Sequence, residues 1–86
     1  MSRIRVLSKG FAVRDLANRK ISIREPLSVI KVGKVVSLVN ERFELRLSRQ
    51  DDGKVVYAFY YRREVLAKGI VVWMPRIPFI KRLLES

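Results

Sequence analysis

The chain contains neither cysteine nor histidine. The first absence excludes a disulfide framework, thiol chemistry and most structural zinc sites; the second removes the commonest metal ligand and proton shuttle. Side-chain amides are scarce as well, with Asn18, Asn40 and Gln50 the whole set. No apolar run approaches the roughly 20 residues that cross a bilayer as a helix, and the opening MSRIRVLSKGF lacks the apolar stretch of a signal peptide. There is no Gly-rich phosphate loop, and Asp51-Asp52 sits in a segment with the composition of a turn. These absences lead us to expect a non-enzymatic, cytoplasmic (nucleoid-associated) protein with no cofactor, metal, membrane or small-molecule substrate.

Acidic residues are also few, eight against 19 Lys and Arg, for a formal charge of +11 on 86 residues. Such an excess points to a polyanionic partner. The cations are not confined to a tail. Arg46, Lys54, Arg62, Arg63 and Lys68 interleave with Tyr57, Phe59, Tyr60, Tyr61 and Trp73, so charge for phosphates and ring faces for bases occur in one stretch. The segment 1–24 is richest in charge, with Arg3, Arg5, Lys9, Arg14, Arg19, Lys20 and Arg24 against Asp15 alone. Many Arg, Ile and Val with few amides lean toward a thermophile. A 49% hydrophobic share is generous for a small chain that also displays 31% charged residues, and suggests a homo-oligomer, a dimer or tetramer.

No repeat or linker divides the chain, so 1–86 reads as a single domain with a basic N-terminal segment. Arg3 to Leu7 alternates like an edge strand, 8–19 offers a helical turn or two, and KISIR (20–24) alternates again. Pro26 opens PLSVIKVGKVVSLVNE, which predicts a helix over 27–40 ended by Asn40, although its β-branched residues and Gly33 also fit two strands turning at Gly33-Lys34. FELRLS (43–48) and VVYAFYYRR (55–63) form a hairpin across RQDDGK. VLAKGIVVWM is a further strand, with Gly69 marking a bulge and Pro75 a stop, and 78–85 closes as a short helix. The expected fold is α+β: a small antiparallel sheet of three to four strands packed against a central helix, with a short C-terminal helix.

The hairpin turn decides which aromatics face outward. With Asp52-Gly53 as a two-residue turn, Tyr57, Phe59 and Tyr61 form an exposed platform beside Arg46. With a three-residue turn and Gly53 left-handed at a bulge, those rings join Phe43, Leu45 and Leu47 in the core, leaving Glu44, Arg46, Ser48, Val56, Ala58, Tyr60 and Arg62 opposite. The second register separates apolar from polar residues more cleanly and is the expected one. Either way Arg46 lies on the ligand face. The candidate nucleic-acid-binding residues are Arg46, Tyr60 and Arg62 first, then Arg63, Lys68, Tyr57, Trp73 and Arg24.

These ingredients fit sequence-nonspecific binding of single-stranded DNA or RNA through a basic, aromatic-bearing sheet face or groove. The segments EPLSVIKVGKVVSLVNE, FELRLSRQDDGKVVYAFYYRR and GIVVWM, taken as helix, hairpin and strand over residues 20–86, resemble ThermoDBP and its shorter related proteins, single-stranded-DNA-binding proteins of hyperthermophilic archaea. That resemblance implies the same ligand class and an oligomer. The alternatives are an Alba-like chromatin or duplex-binding protein, to which VIKVGKVVSLVNERF has some likeness, and a small basic subunit that binds RNA or an acidic protein.

Overall fold

The computed structural model describes residues 3–85. Eight strands and one helix follow in order: β1 (Arg3–Leu7), β2 (Phe11–Asp15), β3 (Lys20–Ile23), β4 (Leu27–Val32), β5 (Val35–Val39), β6 (Phe43–Arg49), β7 (Val55–Tyr61), β8 (Glu64–Trp73) and α1 (Pro78–Glu85). All pairings are antiparallel, in the order β1-β4-β5-β6-β7-β8-β2-β3. The fold is therefore mostly β, not the α+β layout the sequence suggested.

Connection lengths explain why the sheet curls into a half-barrel. Three residues, 8–10, link β1 to β2, which stand six strand spacings apart in the sheet order. Flat, that gap would be about 29 Å at ~4.8 Å per strand, whereas so short a link reaches only about 14 Å. The three-residue link 24–26 between β3 and β4 imposes the same limit. At the join Gly10 has φ +79°, and a Cβ there would lie 1.8 Å from the Ile23 carbonyl oxygen, so only glycine fits.

The predicted helix 27–40 is a hairpin instead. Leu27 and Val29 are buried while Ser28 and Ile30 are less so, a two-residue period that β-branched side chains support and a helix would scramble. Gly33, at φ +60°, leads the two-residue turn Gly33-Lys34 between the paired Val32 and Val35, where a II′ turn needs a positive φ. Asn40 ends no helix. Its Oδ1 accepts from the backbone N–H groups of Arg42 and Phe43, both at 2.9 Å, and shapes the β5–β6 link. One of the three segments behind the ThermoDBP likeness thus takes a different form. The all-round apolar helix behind the oligomer expectation is likewise absent: Leu27, Val29, Val36 and Leu38 enter the core, and Ile30, Val32, Val35 and Val39 lie on the outer face of β4 and β5.

The 8–19 stretch holds strand β2 rather than helical turns, because Phe11, Val13 and Asp15 alternate inward. The C-terminal helix is as expected, with Pro78 at its first position. It takes the place foreseen for 27–40, seating Ile80 and Leu84 inside the curl against the face that carries Val36, Leu38, Leu45 and Leu47. Lys31 Nζ donates to the Leu83 carbonyl at 3.0 Å near the helix end, and the Arg5 guanidinium lies 4.3 Å from the Phe79 ring centroid. With the inner face filled, a ligand has only the outer face, the sheet ends and the rims.

Candidate functional site

The β6–β7 loop fixes the outer face. Gln50 N–H donates to the Lys54 carbonyl at 2.7 Å, and Gly53, at φ +88°, closes a three-residue turn. Phe43 opposes Tyr61, Leu45 opposes Phe59 and Leu47 opposes Tyr57, the register that sends these rings inward. Tyr57 is buried, which removes it from the candidate contacts, and Phe59 stacks on Phe43 at 5.8 Å between centroids.

Opposite them, Arg46, Ala58 and Lys68 stand in one cross-strand row on β6, β7 and β8. The Arg46 guanidinium lies 4.4 Å from the Tyr60 ring centroid, with its Nη1 donating to the Tyr60 hydroxyl at 3.2 Å. Its Nε donates to Glu44 Oε2 at 2.6 Å, and the Ser37 hydroxyl reaches the same oxygen at 3.3 Å. This pairing raises the Arg46 pKa above its ordinary value, chiefly through the Glu44 hydrogen bond. Small Ala58 between two cations leaves a shallow depression of about 440 Å³, floored by Val56, Ala58 and Ile70 and edged by Arg46, Tyr60 and Lys68. Glu44, the only acid in the outward set of β6–β8, is already held by Arg46.

Arg62 and Arg63 form the β7–β8 turn, at φ 49° and 71°. A two-residue turn between the paired Tyr61 and Glu64 demands this left-handed backbone, and a side chain makes it costly. Arg62 lies over the Tyr61 ring at 5.5 Å and anchors its N–H on the Arg42 carbonyl at 2.8 Å. Together with Tyr60 and Arg42 the two arginines line a cleft at that end of the sheet. Arg42 is paired with Glu25, whose pKa the Arg42 hydrogen bond lowers.

Trp73 stands at the other end of β8, 51% exposed. Arg24 is separate, in the exposed β3–β4 link beside a cleft lined by Lys9, Ala12 and Ser22. The structure thus joins Arg46, Tyr60 and Lys68 on one face and sets Arg62 and Arg63 beside them at the turn. Sequence reasoning missed Arg14 and Lys20, which oppose each other on β2 and β3, with Arg14 also opposite Trp73. The alternation of FAVRD and KISI gives their common face; their neighbour on β8 cannot be read from it.

Gly69, expected at a bulge, is regularly paired with Tyr57. Its reason is space: a Cβ would stand 3.0 Å from Asp15 Oδ2 and 3.1 Å from Tyr57 Cε1. Asp15 accepts from the Tyr57 hydroxyl, from Arg19 N at 2.8 Å and from Arg19 Nε at 3.0 Å. The Tyr57 hydrogen bond, aided by Arg19, lowers the Asp15 pKa despite burial, while desolvation and the same bond push Tyr57 up to about 12. This satisfied network ties strands together and presents no open group to a ligand. Comparisons with protein-family models, characterised proteins and solved structures find no match. No helix among the described residues is long and apolar enough to cross a membrane.

Proposed function

We propose that the protein binds single-stranded nucleic acid, with little sequence preference and without catalysis, on the outer face of β6–β8. The observation that carries this reading is the Arg46–Ala58–Lys68 row beside Tyr60: two cations flank a shallow apolar floor, an aromatic ring edges it, and the one local acid is neutralised. Such a surface accepts any base over its floor and ring and a phosphate at either cation, and base–aromatic stacking tolerates every sequence. A duplex hides its base faces, and the outer side chains of β6–β8 include no Asn or Gln of the kind that reads base edges.

Fluorescence anisotropy with a labelled oligothymidine and a duplex of equal length tests the reading. Tighter binding to the single strand, weakening steeply with salt as counterions are released, is expected. Equal or tighter duplex binding would favour a chromatin-type role. Failure to bind either at low salt would overturn the proposal in favour of a basic subunit with a protein partner.

A further inference from the structure

β8 carries two irregularities, and both turn apolar side chains outward. Pairing with β7 shifts between Phe59 and Tyr60, so that Leu66 is the extra residue beside Val65. Pairing with β2 shifts between Arg14 and Asp15, so that Val72 is extra beside Trp73. All four residues, Val65, Leu66, Val72 and Trp73, are exposed. Without the second shift, strict alternation from inward Val71, opposite buried Asp15, would carry Trp73 inward as well. The bulge instead sets it in a row with Arg14 and Lys20 across β8, β2 and β3. Bulges commonly re-aim a side chain in this way. A half-exposed indole thus shares a row with two cations, Arg14, whose Nη1 donates to the Asn18 side-chain oxygen at 3.1 Å, and Lys20. Neither cation has an acidic partner among the described residues, so that ring and charge meet on the outer face at this end of β8 as they do with Arg46 and Tyr60 at the other.

We infer that Trp73, Arg14 and Lys20 form a second base-stacking station, and that a single strand lies lengthwise along β8 from Tyr60 to Trp73 with Lys68 between them. This rests on the single-strand reading above. From Val65, opposite Tyr60, to Trp73 is eight residue steps, about 26 Å at ~3.3 Å each. A strand rising between the ~3.4 Å of stacked bases and about twice that covers this span with about 4 to 8 nucleotides.

The chain has one tryptophan, so its intrinsic fluorescence reports on this station alone. Oligothymidines of increasing length should quench it, and affinity should climb until one oligomer reaches both stations, at about 4 to 8 nucleotides, then level off. Trp73→Ala should weaken spanning oligomers by about 5- to 150-fold and flatten the length dependence, while Trp73→Phe keeps most of the affinity. A spanning oligomer with thymines only at its ends and abasic sites between them should bind better than the reverse arrangement. Binding without a change in Trp73 fluorescence, unaffected by Trp73→Ala, would overturn the second station and leave the first intact. Absence of binding by any oligomer at low salt would overturn the single-strand reading itself.

Discussion

The Tyr57 hydroxyl donates to Asp15 across the backbone of Gly69, so a side-chain bond joins β7 to β2 over the strand that separates them. The bond holds the β2–β3 hairpin to the meander, and its geometry requires residue 69 to have no side chain. Gly69→Ala should therefore lower stability by about 1–3 kcal/mol through overpacking, read as a fall in Tm. An unchanged Tm would mean that the Asp15 carboxylate moves aside freely.

The same pair sets a dependence on pH at both ends. Asp15 has a lowered pKa when folded, so its contribution is full above the unfolded carboxylate value and lost as pH falls through the folded one. Tyr57 is raised to about 12, so its contribution is full below its ordinary value of 10 and lost as pH rises toward 12. Thermal melts against pH should show a smaller acid-side loss in Asp15→Asn than in the native chain. Tyr57→Phe should lose the alkaline limb and shrink the acid one, because the Tyr57 bond is the largest cause of the Asp15 shift.

On the outer face the two cations should differ. If Lys68 meets one phosphate as proposed, Lys68→Ala should lower the slope of log K against log salt by about 0.7. Arg46→Ala should cost more, since it also releases Glu44 toward the ligand, and adding Glu44→Gln should recover part of the loss. Tyr60→Ala should weaken binding by about 1–3 kcal/mol with little change in salt slope. Titrations at three salt concentrations separate these effects.

Two left-handed arginines at the β7–β8 turn are held against their preference, and such strain gathers where function needs it. Arg62→Asn with Arg63→Gly, the pair such a turn favours, should raise stability by about 1–2 kcal/mol. Nucleic-acid binding by the same variant should weaken, with a shallower salt slope. A gain in Tm without loss of binding would make the turn merely structural.

The sequence made some of this legible. Gly53 and the alternation of FELRLS gave the β6–β7 register, and with it the inward Tyr57 and outward Arg46 and Tyr60, because period-two burial leaves few ways to pair. Residues 27–40 misled because Pro26 and an apolar run suit a helix start, whereas Gly33 and β-branched crowding decided for a hairpin once the neighbouring strands offered partners. Trp73 was among the candidate contacts, but its place beside Arg14 was hidden for another reason. A bulge is a property of two strands together, and Arg14 lies 59 residues before its partner Trp73; only the curled sheet brings FAVRD beside VVW.

The three-residue links that force the sheet to curl also oppose the order of synthesis to the order of assembly. β4 to β8 form a meander of sequence neighbours and can close hairpin by hairpin at little entropic cost. β1 needs β4 and the β2–β3 hairpin needs β8, and the first three strands can take both edges only once the meander has bent far enough for 8–10 and 24–26 to reach. The most basic third of the chain is thus made before the meander on which it docks, and the row of Lys20, Arg14 and Trp73 is completed only once β2 reaches β8.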